Sequence, residues 1–173
     1  MRTLIIGIAG LFMYCGWTPT AIAQDYPVKP IRLIIPFPPG GSNDIVARML
    51  AMQLGERLGK QIVIDNRGGA GGVIGTELAA KAPADGYTLL LISTAYALNT
   101  SLYKLPYDPA TAFTPVASLG TGPNVLVVNA KLPVSTVKEL IALAKSKPGQ
   151  LNYASAGVGS FQHLGGELFR IMA

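Results

Sequence analysis

The feature that most limits the possible folds is an alternation of short apolar runs with helical segments, separated by glycine-rich loops. Ile31 to Phe37 is a β-rich run that ends at Pro38-Pro39-Gly40-Gly41, and the residues after this loop change to helical spacing. The same order returns at Gln61 to Asp65, the loop Gly68 to Gly72 and the helical segment Val73 to Lys81. Strands that alternate with helices in this way predict an α/β fold built on a parallel sheet.

Two apolar patterns identify the expected core of this fold. The segment after Ser42 places its large apolar residues on one helical face, namely Ile45, Val46, Met49, Leu50, Leu54 and Leu58. Tyr87 to Ser93 is an uninterrupted strand pattern, and its stretch Leu89 to Ile92 is expected to be the most buried run outside the leader. Such runs fit a parallel sheet that is covered on both faces.

The second half of the chain has a looser order. The pattern predicts strands at Val116–Leu119, Val125–Val128 and Leu151–Ala154, and helices at Thr136–Ser146 and from Phe161 onward. Thr136 is followed three residues later by Glu139, which is the signature of a capping box. The break at Gly120 to Pro123 divides the chain into a predicted first lobe, residues 24–120, and the start of a second lobe, residues 121–173.

The first residues predict export. Arg2 precedes an apolar run from Leu4 to Trp17, and Ala21-Ile22-Ala23 supplies small residues in the spacing that a signal peptidase recognises. We expect a signal peptide at residues 1–23, cleavage after Ala23 and a periplasmic location. The alternative is a membrane anchor, but the apolar run is shorter than the roughly 20 residues needed to cross a bilayer. Cys15, the single cysteine, would leave with the leader, so no disulfide or thiolate metal site is expected.

The charge pattern argues against nucleic acid as a partner. Without Arg2 the 14 basic residues become 13 against 9 acidic ones, which is a net charge near +4. The basic residues are scattered singly, and they form neither a run nor a patch interleaved with aromatic residues.

Two glycine loops are candidates for binding an anion. The glycines Gly40 and Gly41 allow a sharp turn, and Ser42 or Asn43 could cap the following helix, whose first N–H groups would face outward. The loop from Ser155 to Ser160 repeats this arrangement before the last helix. Two helix N-termini directed at one gap could hold a carboxylate without lysine or arginine. The alternative is that these residues merely end strands and start helices.

Other chemistries fit less well. Gly69 to Gly75 follows a predicted strand, but its last glycine falls one place late for a dinucleotide-binding loop. A hydrolase could use Ser160, His163 and Asp44, yet the residues around Ser160 do not form a nucleophile elbow, and a serine at this position more often caps its helix. His163 has no histidine or cysteine partner for a metal ion. The sequence therefore predicts no enzyme activity, no cofactor and no metal site.

The order of the short motifs resembles the Bug family, the receptor components of tripartite tricarboxylate transporters. The motifs are Tyr26 to Asp44, Asp65 to Gly75, Asp85 to Leu90, Pro123 to Asn129, Thr136 to Leu140 and Leu151 to His163. The resemblance implies a type II periplasmic solute-binding-protein fold with two lobes, and it covers the N-terminal half of such a protein, so the chain is expected to be truncated in the second lobe. It also implies capture of a dicarboxylate, tricarboxylate, amino acid or related acid for a membrane permease of two subunits. A signalling or scavenging receptor and, less favoured, an exported hydrolase remain alternatives.

The resemblance also implies a set of ligand-binding residues. They come from the loop after the first strand, from a side wall after the third strand and from the loop before the last helix. The set is Phe37, Gly40, Gly41, Ser42, Asp44, Ser93, Thr94, Ser155, Gly157, Gly159, Ser160 and His163.

Overall fold

A computed structural model describes residues 25 to 173, so the expected signal peptide lies outside the described residues. The strands of this part are β1 (Ile31–Ile35), β2 (Ile62–Asn66) and β3 (Thr88–Leu90), and the helices are α1 (Ser42–Leu58), α2 (Val73–Ala80), α3 (Ala95–Leu102), α4 (Val137–Ser146) and α5 (Phe161–Met172), with a 3-10 turn at Ala70–Gly72. Between residues 25 and 173, no helix is both long enough and apolar enough to cross a membrane. The predicted α/β class is confirmed.

The sheet is parallel, with the order β2-β1-β3. β1 lies in the centre, where Ile31 pairs with Ile62 of β2 and Arg32 pairs with Thr88 of β3. Because β1 has a strand on each side, its apolar residues form the core, and Ile34 is fully buried.

The expectation that Leu89 to Ile92 is the most buried run was wrong. β3 pairs only with β1, so one of its edges has no neighbouring strand among the described residues. Its residues are half-buried, and Ile92 is 48% exposed.

The predicted buried face of α1 was also wrong in part. Ala47 is buried against the sheet with the partly buried Leu54 and Leu58, whereas Ile45 and Met49 are more than half exposed. The small side chain of Ala47 permits close approach of the helix to the sheet. Asp44, one turn before Ala47, is buried on the same side, so its polar contacts fix a helix rotation that apolar periodicity alone does not predict.

The second half contains two confirmed predictions and three wrong ones. Thr136 and Glu139 form the predicted capping box at the start of α4, and α5 begins at Phe161 as predicted. The three predicted strands at Val116–Leu119, Val125–Val128 and Leu151–Ala154 are not strands. A strand needs a neighbour for its backbone N–H and C=O groups, and within residues 25–173 these segments pair with none and are exposed.

The sheet positions the loops that carry the candidate site. Because β1, β2 and β3 are parallel, their carboxyl ends meet at one edge. Residues 36–41, 67–72 and 91–94 leave the sheet at this edge, which is where α/β proteins usually bind ligands.

Candidate functional site

A cleft of about 440 Å³ opens at the carboxyl edge of the sheet, within the size range of small-molecule sites. Three loops and one residue after α3 form its walls. The first loop follows β1 (residues 36–41), the second precedes α2 (residues 69–72) and the third precedes α5 (residues 155–160). They contribute Pro36, Phe37, Pro38, Gly69, Ala70, Gly71, Gly72, Tyr103, Ala156, Gly157 and Val158.

The first loop is braced by the buried carboxylate of Asp44. This carboxylate accepts hydrogen bonds from the backbone N–H of Gly40 at 2.9 Å, Nε of Arg48 at 2.9 Å and Nδ2 of Asn66 at 3.0 Å. Asn66 also donates to the carbonyl of Phe37, at 3.2 Å. Asp44 is therefore committed to contacts within the protein, which makes it a residue that shapes the loop.

The cap of α1 differs from the prediction. The N-cap residue is Gly41, which has no side-chain cap, whereas Ser42 and Asn43 were the predicted caps. Asp44 instead reaches back to Gly40, whose positive φ of 84° suits glycine. The N–H groups of Ser42 and Asn43 lie in the first helical turn, where they have no intrahelical acceptor.

Acid should weaken the hydrogen bonds that the carboxylate of Asp44 accepts. The hydrogen bond from Arg48, followed by the one from Gly40, lowers the pKa of Asp44 from 3.8 to about 2. Because this pKa lies below that of the unfolded chain, ionised Asp44 stabilises the fold above about pH 4, and this contribution is lost as the pH falls through about 2. We expect Asp44→Asn to lower the melting temperature at pH 7 and to flatten its dependence on pH between about 4 and 2.

Thermal melts between pH 7 and pH 2 measure this effect, with Asp25→Asn at an exposed position as the control. If Asp44→Asn lowered the melting temperature as much at about pH 2 as at pH 7, the stabilising role of the ionised Asp44 carboxylate would be contradicted.

The second loop, Gly69 to Gly72, leads directly into α2. Gly71 has a φ of 63°, and Gly72 approaches so closely that a β-carbon there would lie 3.4 Å from the ring of Phe37. Sequence reasoning weighed this loop only as a nucleotide site and did not predict that it lines the cleft. Its glycine content was the available signal.

The third loop brings residues from the far end of the chain to the cleft. Gly157 and Val158 line the cleft, whereas Gly159 and Ser160 are buried. The hydroxyl of Ser160 accepts from the backbone N–H of His163 at 3.2 Å and so caps α5. Ser160 therefore has the capping role that its sequence context favoured over the role of a nucleophile.

The cleft suits an anion although its described lining carries no charged side chain. Arg48 is paired with Asp44, and Arg67 is paired with Asp65 at 2.8 Å. Three helices, α1, α2 and α5, begin immediately after the three loops. The first-turn N–H groups of such helices carry a partial positive charge that stabilises an anion.

The predicted site residues divide into three groups. Phe37 and Gly157 line the cleft, and Phe37 and Ser93 line an adjoining cavity of about 10 Å³. The remaining residues line neither cavity, namely Gly40, Gly41, Ser42, Asp44, Thr94, Ser155, Gly159, Ser160 and His163. Their contact with a ligand stays a prediction. Sequence reasoning missed Tyr103 and Asn99 because it did not predict α3.

The chain is similar to known proteins in sequence and in structure. A family model described as "Tripartite tricarboxylate transporter family receptor" matches residues 46–173. Protein BugT of Bordetella pertussis is 43% identical over 173 residues, an alignment that covers 98% of this chain and 53% of BugT. The chain spans about half the length of the curated relatives it matches.

Solved structures give the same result. Rpa4515 of R. palustris, solved with adipate, has a TM-score of 0.81 at 42% identity over 85% of this chain and 50% of that chain. MatC of Rhodopseudomonas palustris, solved with bound malate, has a TM-score of 0.74 at 34% identity over 84% of this chain and 51% of that chain. The matched structures include periplasmic binding proteins, and the described part of the chain corresponds to about half of their fold.

Proposed function

Because the chain belongs to the Bug-type family of tripartite tricarboxylate transporter receptors, we propose that it binds a small carboxylate in the cleft between its three loops. The ligand class comprises dicarboxylates, tricarboxylates, amino acids and related small acids. The chain acts as a receptor and not as an enzyme. Adipate and malate, which the two matched R. palustris proteins hold, are the first ligands to test.

The observation that carries this proposal is an uncharged cleft whose three loops each lead into a helix. Three helix N-termini follow the loops of a cleft whose described lining contains no charged side chain, and Arg48 and Arg67 are each paired with an aspartate. A carboxylate would accept hydrogen bonds from backbone N–H groups, each contributing about 1.5–3 kcal/mol when the acceptor is charged. Binding therefore depends on backbone geometry more than on local positive charge.

The proposed biological setting is uptake. The leader at residues 1–23 would direct the chain to the periplasm, where it would pass its ligand to a membrane permease of two subunits. Family membership and the predicted leader support this setting.

Ligand-dependent thermal stability tests the function. Adipate or malate at about 100 times its dissociation constant should raise the free energy of unfolding by about 2.7 kcal/mol. For a chain of this size that corresponds to an increase in melting temperature of about 5–10 °C. Adipamide, which replaces both carboxylates of adipate by neutral amides, is the matched control and should produce no shift.

Calorimetric titration with a panel of small mono-, di- and tricarboxylates extends the test beyond the two first ligands. If no acid of this panel changes the melting temperature or releases heat at millimolar concentration, the proposed function is wrong for this chain.

A further inference from the structure

Helix α3 lies between the second loop and the third loop of the cleft. Its residue Asn99 is only 2% exposed, and its Nδ2 donates to the carbonyl of Gly71 at 3.0 Å. A β-carbon on Gly159 would lie 2.8 Å from Oδ1 of the same side chain. The amide of Asn99 is therefore packed between one glycine of each loop.

Tyr103, immediately after α3, makes the second contact. Its hydroxyl donates to the carbonyl of Val158 at 3.1 Å, across 55 residues of sequence. The N–H of Tyr103 donates to the carbonyl of Asn99 at 3.0 Å, so the two side chains are held on one short, rigid piece of backbone. A β-carbon on Gly71 would lie 2.6 Å from the carbonyl oxygen of Val158, so the two loops also touch directly.

We infer that Asn99 and Tyr103 are positioning residues that hold the loop Ser155–Ser160 against the second loop and thereby set the width of the cleft. Their contacts are made to backbone carbonyls and to glycines, so they constrain the course of the third loop and do not depend on ligand chemistry. A loop held in place before binding costs less entropy when the ligand arrives, which raises affinity. The contact between the loops does not depend on the proposed carboxylate function, whereas its effect on affinity rests on that function.

Hydrogen exchange without any ligand tests the contact. In Tyr103→Phe, which removes only the hydroxyl, the backbone amides of residues 157–161 should exchange about three- to tenfold faster, a change of about 0.7–1.4 kcal/mol. Tyr26→Phe is the matched control, because its hydroxyl also donates to a backbone carbonyl, that of Gly86 at 2.6 Å, outside the cleft. The control should leave exchange at residues 157–161 unchanged.

A second variant addresses the other half of the contact. Asn99→Ala removes the donor to Gly71 and should accelerate exchange both at residues 69–73 and at residues 157–161. Unchanged exchange at residues 157–161 in both Tyr103→Phe and Asn99→Ala would overturn the inference, whatever the ligand.

Titration with adipate separates this inference from the proposed function. If the unmodified chain binds adipate, Tyr103→Phe should weaken the affinity about three- to tenfold, mainly through faster dissociation, while Tyr26→Phe should not. Faster exchange in a chain that binds no acid would support the loop contact and reject the function. Faster exchange with unchanged adipate affinity would overturn the claim that the contact sets binding.

Discussion

Gly75→Ala is expected to lower the free energy of unfolding by about 2–3 kcal/mol, the upper part of the usual range for an overpacked site. Gly75 lies in the first turn of α2, which packs against the start of the first loop. A β-carbon at this position would lie 2.5 Å from the carbonyl oxygen of Arg67 and 2.8 Å from Cα of Pro36. Both obstacles are backbone atoms, so neither can move aside by changing a rotamer. For this chain length the melting temperature should fall by about 5–10 °C.

Gly55→Ala in α1 is the matched control. A β-carbon on Gly55 would make an ordinary contact of 3.4 Å with the carbonyl oxygen of Lys60. Because alanine favours a helix interior over glycine, this variant should gain about 0.5–1 kcal/mol. Thermal and urea unfolding followed by circular dichroism measure both variants. Equal stability of the two would mean that α2 does not pack on Pro36 as the structure shows.

Gly71→Ala is expected to weaken carboxylate binding at least tenfold, a loss of about 1.4 kcal/mol. Gly71 has a φ of 63°, and its added β-carbon would lie 2.6 Å from the carbonyl oxygen of Val158. The substitution therefore pushes the third loop away from the second and widens the cleft. This prediction rests on the proposed function and is measured by calorimetric titration with adipate.

Gly59→Ala separates backbone strain from the steric effect. Gly59, after α1, has the same φ of 63°, but a β-carbon there would have no atom within 4 Å. Both variants incur a left-handed backbone cost of about 1–2 kcal/mol in stability, whereas only Gly71→Ala disturbs the cleft. Adipate affinity should stay within about twofold of the unmodified chain in Gly59→Ala. A similar loss of affinity in both variants would argue against a loop contact at Gly71.

Local patterns in the sequence determined the first half of the fold. β-branched runs, glycine loops and helical spacing predicted β1, α1, β2 and α2 in the observed order, because each depends on residues that are near neighbours in the chain. The capping box of Thr136 and Glu139 is likewise complete within four residues.

The tertiary structure decided what local patterns could not. The carboxylate of Asp44 is held inside the protein partly by Asn66, 22 residues away, a contact that no local pattern predicts. The segments 116–119 and 125–128 have strand composition without a partner strand among the described residues, and composition cannot supply a partner. Asn99 and Tyr103 acquire their places only because loops about 30 residues before and 55 residues after them come together there. Contacts of such long range depend on the packing of whole elements, so the sequence determined the loops and the tertiary structure determined the cleft between them.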